Sequence, residues 1–119
     1  MRNGPNPMVV ARTERHSWFV GDGMLHIVEL GDGKAISYRN RYVRTTAVTA
    51  RRGGVNVPGP APLLFDGSNQ NVVPFAGDIL SVAEGSIPYA VTRDGDTLRR
   101  VDFGGGLDHG LSAHCKFDA

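Results

Sequence analysis

Apolar and polar residues alternate through "MLHIVEL" (24–30): Leu25 and Ile27 fall on one face, Met24, His26, Val28 and Leu30 on the other. A period of two is the mark of a half-buried strand. The turn residues "GDGK" (31–34) follow, and "AISYRNRYVRT" (35–45) is rich in β-branched and aromatic residues. The spacing predicts a β-hairpin. Its second strand sets Ile36, Tyr38, Asn40 and Tyr42 on one face, with Ala35, Ser37, Arg39, Arg41 and Val43 on the other.

The pattern then lapses. "RRGGVNVPGPAPLLFDGSN" (51–69) has no period and is dominated by Gly and Pro, which predicts a long loop. Loops of that length are uncommon in small domains and usually have a role. A second β-rich run follows: "NVVPF" (71–75), the turn "AGD", "ILSVAE" (79–84), "PYAVT" (88–92), the turn "RDGD" and "LRRVDF" (98–103). Four short strands joined by tight turns make an antiparallel meander, the unit of a β-propeller blade. "GGGLDHG" (104–110) is another connection, and "LSAHCKFD" (111–118) is expected to begin a further strand. No segment shows a convincing helical period. The fold class is therefore all-β. Hairpin and meander do not align as a sequence repeat, and a sandwich fragment fits the same pattern. Either way, such a meander has open edges and uncovered apolar faces, which invite pairing with other strands. The chain reads as part of something larger, or as a protein that assembles through its strand edges.

Composition narrows the setting. The 119 residues suffice for one domain, and 40% hydrophobic with 21% charged residues fits a globular chain. A net charge of +1 gives no steering toward nucleic acid or an anionic membrane. The single cysteine, Cys115, has no internal partner, which fits a reducing compartment, and a cytoplasmic location is expected. "MRNGPNPMVV" (1–10) does not resemble a signal peptide, and no apolar run is long enough to span a bilayer. Sixteen glycines and seven prolines punctuate the chain often, as many short strands require.

Candidate chemistry is sparse. "GDGM" (21–24), "GDG" (31–33) and "RDGDT" (93–97) lack the spacings of phosphate or calcium loops and read as turns. The histidines are His16, His26, His109 and His114; none is paired at the i, i+4 spacing of a helical zinc site. Taken singly, each is more often structural or solvent-facing than a ligand. Cys115 beside His114 would point to the opposite face of a strand, so the two do not form a nucleophile pair. Glu84 closes an apolar strand. It either faces solvent or stands behind a metal-bound imidazole and orients it.

Several stretches, in order, resemble the carotenoid cleavage oxygenases, the non-haem iron enzymes that include retinoid isomerase and the lignostilbene dioxygenases. They are "RNGPNP" (2–7), "WFVGDGMLH" (18–26), "YRNRYVRT" (38–45), "NVVPFAGDILSVAEGSIPY" (71–89), "LRRVDFGGGL" (98–107) and "SAHCKFD" (112–118). They cover most of the chain, and "AHCK" resembles the family's "AHPK". The resemblance implies a seven-bladed β-propeller whose axis holds one Fe(2+) on four histidines from different blades, three of them hydrogen-bonded by glutamates. Residues 1–119 are then expected to form the N-terminal part of that domain, about one to two blades of antiparallel meander.

Carried over by position, His114 matches the first iron ligand, and Glu84 matches a glutamate standing behind one of the later histidines, which lie outside this sequence. His26, His16 and His109 match no functional position. Cys115 stands in place of the usual proline. Ala83 stands where the stilbene-cleaving branch has a lysine that contacts the substrate phenol, which points instead to a carotenoid or apocarotenoid. The activity implied is dioxygenase cleavage of a carbon–carbon double bond in an apolar polyene with O2. The full protein is then expected to meet a membrane surface, although no apolar patch for that purpose is evident in this segment. The chain alone, with one ligand, is expected to be inactive. The competing readings are a non-catalytic fragment and an assembly module without iron.

Overall fold

The computed structural model describes residues 1–9, 17 and 19–116. Its elements run β1 (Arg2–Pro5), β2 (Gly23–Gly31), β3 (Lys34–Tyr42), α1 (Thr46–Arg52), β4 (Asn71–Phe75), β5 (Asp78–Val82), β6 (Tyr89–Val91) and β7 (Thr97–Arg100). They form two antiparallel sheets, β1-β2-β3 and β4-β5-β6-β7, each a meander in chain order. The all-β expectation holds, and the predicted hairpin and four-strand run are both present.

The hairpin pairs Leu25 with Arg41 and Ile27 with Arg39, so these four share one face, as the alternation requires. Leu25 is fully buried in a cluster with Val43, Val57, Tyr89 and Val91, against which Val72 and Ile79 also pack. This cluster joins the two sheets face to face. Gly95, in the β6–β7 turn, sits where a Cβ would lie 2.7 Å from Ile27 Cδ1, and its φ of 88° suits only glycine. Beside it, Arg39 reaches Asp94 at 2.6 Å and Arg41 reaches Asp96 at 3.4 Å. These pairs are exposed, so they fix register more than they stabilise.

The other face of the second sheet carries a second cluster, Val73, Leu80, Val82 and Ala90, covered by Ala113 with Val101 and Leu111. The first sheet keeps an uncovered side. On the outer face of the hairpin Val28, Leu30, Ile36 and Tyr38 are all exposed. The uncovered apolar face expected from the pattern is therefore real.

Three features escape the alternation. β1 pairs with β2 through Asn3↔Leu25, and Asn3 is buried, with Nδ2 donating to the Ser68 carbonyl at 2.9 Å and to Ser81 Oγ at 2.8 Å. One amide thus ties the first strand to the long loop and to β5. The second is α1, seven residues long and too short to show a helical period. Its marks are local: Thr45 caps it by accepting the Val48 N–H, Gly53 ends it at φ 73°, and Arg51 and Arg52 lie in its last turn. The third is the segment from Leu111. It makes one isolated bridge to Ser86 and then turns through Ala113 and His114, so a continuing strand is not seen up to Lys116. Phe117 to Ala119 lie outside the described residues, as does His16.

The loop predicted over 51–69 is a loop from Gly53 on, and it is anchored rather than loose. Asp66 accepts the Thr46 N–H at 2.9 Å and the Tyr89 hydroxyl at 2.6 Å. Arg100 donates its backbone N–H to the Pro58 carbonyl at 2.9 Å and its Nε to the Pro60 carbonyl at 2.5 Å. The loop thereby occupies hydrogen-bonding groups that an edge strand such as β7 would otherwise present to solvent.

Candidate functional site

The chemistry-bearing residues converge where β5 ends. Strand β5 ends at Val82, which with the following Ala83 lies in the core, and Glu84 is the first residue to emerge, with its side chain about half exposed at 49%. Gly85, at φ 73°, turns the chain back. Its N–H donates to the Leu111 carbonyl at 3.2 Å, and the Leu111 N–H donates to Ser86 at 3.0 Å. These bonds lay residues 111–114 against the Glu84 turn, and the apolar anchors Leu111 and Ala113 hold them there.

Glu84 Oε1 accepts two bonds from this segment, from Ser112 Oγ at 3.1 Å and from the Ala113 N–H at 3.0 Å. The His114 imidazole lies alongside, with Nε2 3.9 Å from the same oxygen. The ring is 82% exposed. Two neighbours brace the corner: Gln70 Oε1 accepts the Glu84 N–H at 2.7 Å, and Asn71 Nδ2 donates to the Ala113 carbonyl at 3.0 Å.

The structure therefore brings together the two residues singled out in the sequence, thirty positions apart in the chain. The resemblance places Glu84 behind a different imidazole; among the described residues its neighbours are Ser112, Ala113 and His114. Sequence reasoning missed Ser112, Gln70 and Asn71. Ser112 lies two residues from His114, where a hydroxyl can accept the i+2 N–H, and that spacing was the available signal.

The other described histidines, His26 and His109, are engaged elsewhere. His26 stacks on Tyr38 at a ring separation of 6.0 Å, with Nδ1 2.6 Å from its hydroxyl. His109 lies in an exposed turn against its own neighbours Asp108 and Gly110. Cys115 turns its thiol to the Ser112 carbonyl at 2.9 Å, not to a histidine. Among the described residues no three His, Cys, Asp or Glu side chains gather as a metal cluster. The donor set fits ferrous iron only as a partial one. It offers one solvent-facing imidazole, a donor type suited to iron, with a carboxylate oxygen 3.9 Å from its Nε2.

Against this geometry the comparisons are specific. The family model "Retinal pigment epithelial membrane protein" matches residues 1–119. A carotenoid cleavage oxygenase of Mycobacterium tuberculosis is 43% identical over 122 residues, covering 99% of this chain and 24% of that protein. A chloroplastic 9-cis-epoxycarotenoid dioxygenase of Arabidopsis thaliana is 30% identical over 151 residues, covering 100% of this chain and 26% of that protein. A carotenoid 9,10(9',10')-cleavage dioxygenase of the same plant is 32% identical over 149 residues, covering 99% of this chain and 27% of its own length. No solved structure matches the chain. The chain belongs to the carotenoid cleavage oxygenase family. It spans about a quarter of the length of the curated relatives it matches.

Proposed function

We propose that this chain is the N-terminal part of the β-propeller domain of a ferrous dioxygenase that cleaves a carbon–carbon double bond of a carotenoid or apocarotenoid. The observation that carries the reading is the solvent-facing imidazole of His114, at the position the resemblance matches to the first iron ligand, with Glu84, matched to a glutamate behind a later histidine, 3.9 Å away. Packing of two consecutive antiparallel meanders face to face supports the propeller, because neighbouring blades pack in that way.

In this reading His114 would hold the iron together with three imidazoles from residues outside these 119. Ferrous iron, when bound, supplies the oxygen chemistry that turns the double bond and O2 into two carbonyl products. This chain's residues supply position. Glu84 fixes the 112–114 turn through Oε1, so the imidazole is presented from a braced backbone. Val82, Ala83 and Ala113, all buried beneath it, keep the wall under the corner apolar. Ala83 stands where the stilbene-cleaving branch carries a phenol-contacting lysine, which favours a hydrocarbon polyene over a phenol.

The test is an oxygenase assay with a purified apocarotenal as probe, following loss of the polyene absorption and appearance of two carbonyl products. The polypeptide as its gene expresses it is expected to cleave the probe, and its His114→Ala variant is not. The 119-residue chain with added ferrous iron is expected to be inactive. Turnover by the short chain, or undiminished turnover by His114→Ala, contradicts the reading.

A further inference from the structure

At the end of β5 away from Glu84, the β4–β5 hairpin and the start of the β6–β7 turn enclose a cavity of about 650 Å³. Small-molecule sites ordinarily span roughly 300–1,000 Å³. Pro74, Ile79, Val91 and Leu98 give the cavity an apolar wall, and Phe75 adds an aromatic one. The steps from Asp78, in that wall, to Glu84 rise ~3.3 Å per strand residue, so the two places lie up to roughly 20 Å apart.

The charges at the rim do not balance. Asp78 pairs with Arg99 at 2.7 Å. In the neighbouring turn Asp94 pairs with Arg39 at 2.6 Å and Asp96 with Arg41 at 3.4 Å. Arg93 lines the cavity and, among the described residues, has no carboxylate within ion-pair distance. Its charge is left over because each acid beside it is already committed. Thr92 Oγ1, at the same rim, accepts the Asp96 N–H at 3.0 Å, which leaves the hydroxyl proton to give. Backbone strain gathers here as well. Ala76, at φ 48°, lines the cavity, and Phe103, at φ 55°, packs edge-on against Phe75 with ring centres 5.5 Å apart. Side chains bearing a Cβ are unfavourable in that left-handed region, and such residues concentrate at functional sites, ligand clamps among them.

We propose that this cavity binds a small amphiphile made of an apolar chain and one carboxylate, with the chain against the apolar wall and the carboxylate at Arg93 and Thr92. The wall takes up the chain because its apolar surface leaves water. The guanidinium and the hydroxyl supply donors to the carboxylate, and hydrogen bonds to an ionised acceptor are the strong ones. An uncharged chain gains only the first of these contributions, so the site discriminates by charge. The cavity and the His114 corner lie at opposite ends of β5, and the inference stands independently of the ferrous reading.

The experiment uses the polypeptide as its gene expresses it and a hexadecanoate probe carrying a photoreactive diazirine at the chain terminus. Irradiation followed by mass spectrometry of the peptides locates the label. Labelling is expected within residues 74–79 and 91–98, and hexadecanoate is expected to displace it where hexadecanol does not. Arg93 is exposed, so its replacement leaves the core intact. Arg93→Gln is expected to weaken probe binding about tenfold, the loss of one hydrogen bond to a charged group, and Arg93→Lys to stay within about threefold of wild type. Label found only outside both stretches overturns the site. Equal displacement by hexadecanol, or wild-type affinity in Arg93→Gln, overturns the recognition of a carboxylate.

Discussion

Asp66 and Glu84 are held by the same two kinds of donor, a backbone N–H and a side-chain hydroxyl, yet they stand in opposite surroundings. Asp66 takes the Tyr89 hydroxyl on Oδ1 and the Thr46 N–H on Oδ2, so both oxygens are used, and the phenol it receives is fully buried. Glu84 takes the Ser112 hydroxyl and the Ala113 N–H on one oxygen, Oε1, beside an imidazole that is almost wholly exposed. The first arrangement is closed and joins loop, helix and β6. The second keeps acceptor capacity in reserve at the surface. A carboxylate whose bonds are complete holds a fold together, whereas one with an oxygen to spare beside an exposed imidazole is equipped to act on a further group.

The largest effect expected from breaking the comparison is Asp66→Ala. It strands the buried Tyr89 hydroxyl and the first N–H of α1, and is expected to cost about 3 kcal/mol in denaturant unfolding. Next comes alkaline pH. Burial first, and the Asp66 carboxylate second, push the Tyr89 phenol well above its ordinary range, so it stays protonated in the folded chain. An unfolded tyrosine ionises near pH 10. Above that the unfolded state binds fewer protons, and stability is expected to fall with rising pH by up to about 1.4 kcal/mol per unit. Below pH ~10 the contribution is fully present. Tyr89→Phe is expected to flatten this alkaline slope in a pH series of unfolding curves.

At the exposed corner the same operation does less to the fold. Glu84→Ala is expected to cost less than about 1 kcal/mol, because water replaces the lost bonds of a half-exposed group. If it destabilised as much as Asp66→Ala, the distinction between the two carboxylates would collapse. The smallest effect is Cys115→Ala, which removes only a weak thiol donor and is expected to change stability by no more than about 0.5 kcal/mol.

The alternation of Leu25 and Ile27, and the runs 71–75 and 79–84, showed the strands because their side chains bury one face at a time. The short helix stayed hidden because seven residues, about two turns, are too few for an apolar period to stand out, and β1 because its buried residue is an asparagine rather than part of an apolar stripe. At the candidate site, residue type left His114 and Glu84 open, and only the resemblance singled them out. Their mutual contact was not legible, since it depends on a return of the chain from Gly85 to Leu111 that no local pattern announces. The bend at Ala113 also escaped notice: "LSAHC" reads as a strand, but Glu84 captures the backbone N–H of Ala113 and the segment turns there instead.

Metal analysis of the polypeptide as its gene expresses it, purified without added iron, addresses the central claim most directly. The account expects about one iron per polypeptide in the wild type, as a mononuclear centre requires, and none retained by His114→Ala. Iron retained undiminished by that variant, or wild-type protein isolated folded and free of iron, would contradict it.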